Sequence, residues 1–150
     1  MPIVYVQTRI SAPPAATWKV VCDLEQYPRY MTDVRSIVTS GPPVAGIRTS
    51  SWSVSLRGSI LEWTERDQLD EQRLRVEFEQ LDGDLERFSG YWQIRPVPND
   101  RQLSDVFFYV DFEIGIPLLA DMLNPIAKRS LQDNSVRMLG ALEDQIRQAA

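Results

Sequence analysis

Histidine is absent from this 150-residue sequence. That removes the commonest general base and the commonest metal ligand, and the single cysteine, Cys22, cannot complete a zinc site. Histidine-dependent nucleophile triads and zinc chemistry are therefore excluded. With one cysteine no intrachain disulfide can form, and nothing marks an oxidising compartment. Neither GxxxxGK nor GxGxxG occurs, so nucleotide-dependent chemistry has no support. Positive charge is also scarce: 16 Lys and Arg against 21 Asp and Glu give a net charge of −5, with no basic run. This disfavours binding to phosphate backbones. No apolar run is long enough to cross a bilayer, and the start of the chain shows no basic n-region, apolar core or cleavage site. The expectation is a soluble, cytoplasmic protein with no metal or other cofactor, no nucleic-acid partner and no stable membrane insertion.

What is present reads as one ordinary globular domain spanning residues 1–150, long enough to bury a sizeable core. Its organising stretch is residues 118–148, predicted as one long helix. Leu123, Ala127, Leu131, Asn134, Met138, Leu142 and Ile146 recur at steps of three and four and so form one stripe. That stripe needs a partner surface, and residues 35–115 supply one, because they read as successive strands. Asn134 is the polar member of the stripe. A buried amide needs a hydrogen-bond partner, and either a structural or a ligand-facing role would supply it.

Residues 3–10 alternate as a strand, and Ser11-Ala12-Pro13-Pro14 then supplies a cap candidate and prolines at a helix start. The first helix is expected to run to about Leu24, to break at the residue before Pro28, and to be followed by a short second helix ending near Val34. Strands are read at 36–40, 47–56, 60–66, 73–80, 88–94 and 103–114. They are separated by Gly41-Pro42-Pro43, Arg57-Gly58, Gln68-Leu69-Asp70-Glu71, Asp82-Gly83-Asp84 and Pro96-Val97-Pro98-Asn99-Asp100. Gly115-Ile116-Pro117 turns the chain into the long helix. In the last strand Val106, Phe108, Val110, Phe112 and Ile114 share one face, and Phe107, Tyr109, Asp111 and Glu113 the other.

Aromatic placement raises the question of a cavity. Phe88, Gly90, Trp92 and Ile94 share a face, and Gly90 in that row predicts an empty place beside two large rings. Trp52 and Trp63 add large surfaces on neighbouring strands. Aromatic rows in sheets are more often plain core, and on this ground alone that reading is preferred.

Several stretches taken together resemble the START-like superfamily (Bet v 1-like, SRPBCC), in particular its polyketide cyclase/dehydrase and coenzyme Q-binding group. These are Ile10-Ser11-Ala12-Pro13 with Trp18 and Val21, Asp23-Leu24-Glu25-Gln26-Tyr27-Pro28, Leu61-Glu62-Trp63, Phe88-Ser89-Gly90-Tyr91-Trp92, Val110-Asp111-Phe112 and the final helix. No single motif is diagnostic; their order and spacing over nearly the whole chain carry the likeness. The resemblance implies an α+β helix-grip fold. In it a seven-stranded curved antiparallel sheet wraps around a long C-terminal helix, two short helices follow the first strand, and hydrophobic ligands occupy the space between sheet and helix.

Within the superfamily, aromatase/cyclases close and dehydrate poly-β-ketones, whereas carriers hold sterols, lipids or quinones without chemistry. The resemblance to the cyclases places Tyr27, Trp63, Phe88, Trp92 and Phe108 in the ligand-binding wall with Val110, Leu131 and Met138. Asn134 matches a cavity-facing Asn. Val34 and Val110 stand where better-known cyclases have Tyr and Gln, and the cavity Arg has a counterpart only in Arg66, displaced by one residue. A shift of one reverses the face of a strand, so Arg66 points outward and Glu65 inward unless a bulge intervenes. For a cyclase the expected catalytic residues are Arg66 as electrostatic stabiliser, Asn134 holding a carbonyl, and Glu65 or Tyr109 moving protons. A solvated strand face is the competing reading of Glu65-Arg66-Asp67.

The heavy aromatic wall tips the choice towards cofactor-independent cyclisation and aromatisation of a polyketide-type molecule, with an acyl carrier protein as a candidate donor. The alternative is a non-catalytic carrier of a quinone or lipid, to which the two valines are suited. Ribosome association, known in the quinone-binding branch, ranks last because the acidic balance offers RNA no surface. Either a monomer or a homodimer is compatible with the sequence.

Overall fold

The computed structural model describes residues 3–56, 59–114 and 120–149. Strand β1 (Ile3–Ile10) is followed by helix α1 (Pro14–Cys22), a 3₁₀ turn (Leu24–Gln26) and the short helix α2 (Tyr27–Tyr30). Six strands come next: β2 (Val34–Thr39), β3 (Ile47–Leu56), β4 (Ser59–Asp70), β5 (Arg75–Gly83), β6 (Leu85–Val97) and β7 (Asp100–Ile114). The chain closes with α3 (Ala120–Ala149). All seven strands form one sheet in the order β1-β7-β6-β5-β4-β3-β2, with antiparallel pairing throughout. Consecutive strands from β2 to β7 pair with their successors, so only β1 makes a long-range connection, crossing by way of α1 and α2 to the opposite edge. This is the helix-grip arrangement expected from the sequence.

Alternation decides which side chains meet α3. Val4, Val6 and Ile10 of β1 and Val106, Phe108, Val110 and Phe112 of β7 are buried, whereas Tyr5, Phe107, Tyr109 and Asp111 lie on the outer face. Asn134, Met138, Leu142 and Ile146 are buried along α3 as their spacing predicts, joined by Leu139. Leu131 is half-buried against the same core. Arg57-Gly58, Gly115-Ile116-Pro117 and the side chains of Leu123 and Ala127 lie outside the described residues.

Several boundaries differ from the sequence reading. Pro13, not Ser11, occupies the N-cap of α1, without a side-chain cap, and Pro28 lies in the first turn of α2. The second helix ends at Tyr30, because Met31 is extended and Val34 already opens β2. β4 continues to Asp70 through the polar run read as a turn, because cross-strand partners are available as far as Asp70↔Arg75. β5 reaches Gly83, and Asp84 fastens the β5–β6 connection to β4: its N–H donates to the Glu62 carbonyl and its Oδ2 accepts from the Glu62 N–H at 2.7 Å. Gly90 leaves no empty place. A Cβ there would run into the Tyr109 carbonyl oxygen and come within 2.9 Å of the Phe78 ring, which already fills that position.

Candidate functional site

The inner face of the sheet carries a connected set of rings. Trp52 and Trp63 are direct partners across β3 and β4 and stack with centroids 5.6 Å apart and planes 10° apart. Trp63 meets Phe88 at 4.8 Å, Phe88 meets Phe78 at 5.6 Å, Phe78 meets Phe108 at 5.9 Å and Phe108 meets Trp92 at 4.5 Å. Tyr27, fully buried on α2, closes the circuit edge-on against Trp52 and Trp92, with its hydroxyl donating to the Val21 carbonyl. Each strand-borne ring is inward because it sits at alternate positions of its strand. Together with Met138 from α3 and the carboxyl of Glu65, Trp52, Trp63, Phe78, Phe88, Trp92 and Phe108 surround a cavity of about 30 Å³. That is far below the several hundred Å³ that a drug-sized ligand fills, so such a ligand must displace Met138 or turn a ring.

Glu65 is the chemical feature of this cavity. Its residue is only 4% exposed, and Trp63 Nε1 donates to Oε1 at 2.8 Å. Burial holds its carboxyl well above the ordinary carboxylate range, a shift reinforced by a hydrogen bond to the Asp67 carboxyl and by the charge of Asp67, and opposed by the Trp63 donor and by Arg48. The register explains why Glu65 and not Arg66 is inside. β4 pairs with β3 without interruption from Ile47↔Gln68 to Leu56↔Ser59, and the bulge between Thr64 and Glu65 in the β4–β5 ladder places the additional residue, Leu81, on β5. β4 therefore keeps its alternation through 65 and 66.

The other residues singled out in the sequence divide cleanly. Asn134 is buried, and its Nδ2 donates to the Ser55 carbonyl at 3.4 Å. It borders a second small cavity of about 50 Å³ beside Met31, Val34 and Arg137, and Met138 lines both cavities. Arg66 and Tyr109 are corrected outright as cavity groups. Arg66 is exposed beside a groove on the outer face, and Tyr109 stacks there on Tyr91 at 5.1 Å. Two outer grooves, about 310 and 280 Å³, are larger than the aromatic cavity but are open and bordered by solvated polar side chains, so their volume does not mark an enclosed ligand site. Val110 is buried beside Gly90 and Val4, and neither it nor Leu131 borders the aromatic cavity.

Sequence reasoning did not select Phe78, Arg48, Ser50 and Asp67 for the site. Asp67 follows Trp63 and Glu65 at steps of two, and Arg48, Ser50 and Trp52 repeat the same step on β3, which was the available signal. Among the described residues no cluster of three or more His, Cys, Asp and Glu is placed to hold a metal ion. No described helix is long and apolar enough to cross a membrane.

Comparison with known proteins agrees with the fold. The profile of a family described as polyketide cyclase / dehydrase and lipid transport matches residues 10–139. No curated protein matches the sequence. Among solved structures, a protein from Thermus thermophilus is 26% identical and superposes with a TM-score of 0.90, covering 99% of each chain. The Zhui aromatase/cyclase from Streptomyces sp. R1128 is 21% identical, with a TM-score of 0.85 over 97% of this chain and 93% of that one. A START superfamily protein from Mycobacterium smegmatis is 16% identical, with a TM-score of 0.83 and 99% of each chain covered.

Proposed function

This chain belongs to the polyketide cyclase/dehydrase and lipid transport family, and on that premise we propose that it binds a flat, hydrophobic polyketide-type molecule between sheet and α3 and promotes its ring closure and dehydration. The observation that carries the reading is Glu65, a buried carboxyl on the wall of an aromatic cavity. A carrier of acyl chains gains nothing from a carboxyl there, because desolvating it costs free energy that no apolar ligand returns. A dehydrating enzyme needs such a group. Aldol closure followed by loss of water is redox-neutral and requires only a folded substrate, a proton donor to the departing hydroxyl and an acceptor for the α-proton.

The aromatic wall suits this task, since Trp52, Trp63, Phe88, Trp92 and Phe108 offer ring faces and edges to a conjugated substrate and exclude water. Tyr27 supports the wall from behind, and Leu131, Val110 and Val34 supply apolar packing around it. In this reading Asn134 holds a substrate carbonyl on the helix side once Met138 moves aside, exchanging its long bond to Ser55 for a bond to ligand. An acyl carrier protein is a suitable source of such a substrate. Arg66 and Tyr109 have no part in this account.

Dehydration of β-hydroxy-α-tetralone to α-naphthol tests the reading with a two-ring probe. Wild-type protein is expected to accelerate naphthol release, and Glu65→Gln to lower the rate by about a hundredfold or more, the usual scale of acid–base contributions. Naphthol binding, read by calorimetry, should survive in Glu65→Gln. Arg66→Ala should match wild type. Equal rates for Glu65→Gln and wild type, with binding intact in both, would leave carriage of a lipid or quinone as the function.

A further inference from the structure

The polar residues beneath Glu65 form two adjacent cross-strand pairs on the inner face, Ser50↔Glu65 and Arg48↔Asp67. All four are buried, Asp67 to 1% exposure. Asp67 Oδ2 accepts from Ser50 Oγ at 2.7 Å and from Arg48 Nε at 3.3 Å. Arg48 Nη1 donates onward to the Cys22 carbonyl at 2.9 Å, and Trp52 Nε1 donates to Ser50 Oγ at 3.0 Å. Glu65 and Asp67 stand two residues apart on the same inner face, and among the described residues Arg48 is the cation that reaches this pair. One guanidinium offsets one buried carboxylate, and a second would stand uncompensated, so charge balance favours a proton on the pair. Asp67 receives the guanidinium and the serine hydroxyl, whereas Glu65, on the cavity wall, receives Trp63 Nε1 and is pushed by burial towards its protonated form.

We propose that Asp67 and Arg48 are positioning residues for Glu65: they maintain a carboxyl pair carrying one proton and present that proton to the cavity, so that Glu65 serves as acid and then as base within one dehydration. This rests on the dehydrating function proposed above and assigns the groups that set its protonation. With a β-hydroxy ketone bound, the Glu65 O–H gives its proton to the hydroxyl oxygen and the carbon–oxygen bond breaks, releasing water. The electron pair of the neighbouring α C–H bond forms the new double bond, and the α-proton passes to the carboxylate of Glu65. Between these transfers two carboxylates face one guanidinium, an unfavourable state that favours taking the α-proton and restores the starting pair. The remaining titratable neighbours do not compete. Burial raises the Tyr27 hydroxyl and lifts the Cys22 thiol to about 12, with Glu71 and Asp23 acting on Cys22 in the same direction, so both stay neutral beside Arg48 and Asp67. Among the described residues, α3 contributes Met138 to this wall.

Infrared difference spectroscopy tests the assignment without any ligand. Wild type minus Glu65→Gln at neutral pH should contain the C=O stretch of a protonated carboxyl. Asp67→Asn leaves Glu65 as the sole counter-ion of Arg48, so that band should be lost at neutral pH. Arg48→Gln removes the opposing cation, and the band should then persist to a pH higher by about one unit or more. In tetralone dehydration the alkaline limb should move in the same two opposite directions, whereas a merely structural role would lower the rate without moving the limb. If one of these variants does not fold, the shift in the other still decides. Absence of the band in wild type, or a band unmoved in the folded variants, overturns the proposal. A band without turnover would instead refute the dehydrating function and leave the proton pair standing.

Discussion

A carboxyl removed from water keeps its proton to a higher pH than the same group in an unfolded chain, and Glu65 ties this protein's stability to pH on that account. Its folded value lies above the ordinary 4.5, chiefly through burial. The stabilising contribution of the neutral form is therefore complete below about 4.5 and is lost as the pH rises through the folded value. Relative to Glu65→Gln, wild type should thus become progressively less stable as the pH rises from about 4.5 through the folded value. Urea midpoints for both proteins across that range measure the effect; parallel midpoints would show that Glu65 ionises alike folded and unfolded. At this scale the ring residues were legible, since alternation alone puts Trp63, Phe88, Trp92 and Phe108 on inner faces. The orientations of Glu65 and Arg66 depended on a register, and the role of Asp67 depended on Arg48, a partner 19 positions earlier whose pairing no local pattern reveals. A sequence that reads Glu65-Arg66-Asp67 as a charged surface run is therefore misleading: Glu65 and Asp67 are buried on the inner face, where Asp67 pairs with Arg48.

Among the elements, β6 and β7 form the stiff back of the sheet, and Gly90 sets how closely they approach. An added Cβ there would overlap the Tyr109 carbonyl, which is backbone and cannot rotate away. Gly90→Ala should therefore cost about 1–3 kcal/mol, the usual range for overpacking, and chemical denaturation would detect it; unchanged stability would mean that the two strands part freely. The order of elements and the span of β3 were readable, because hydrophobic period and turn residues agree there. The ends of β4, β5 and β6 were not. Their outer turns are rich in charge, and what extends them is ladder pairing such as Asp70↔Arg75 and Leu85↔Ile114, which depends on the neighbouring strand rather than on local composition. α3 was readable from its stripe because a single face of a long helix repeats often enough to be unmistakable.

At the level of the whole molecule, an open sheet closed by one helix separates two surfaces of different chemistry. The outer one carries Tyr5, Tyr91, Phe107 and Tyr109 with Arg75 lying 4.0 Å over the Tyr91 ring, a solvated aromatic and cationic face. The inner one carries the rings and the buried carboxyl pair. The fold was legible from order and spacing, whereas the site needed the coordinates, because cavities are made by residues distant in sequence. With so small a cavity between Met138 and the rings, ligand binding must be accompanied by rearrangement of the wall, and a molecule tightly held there should survive purification. Native mass spectrometry of protein isolated from its own host, followed by extraction and identification of the bound compound, tests the central claim most directly. The account predicts a polyphenolic or polyketide-type aromatic; a saturated acyl lipid or an isoprenoid quinone in its place would contradict it.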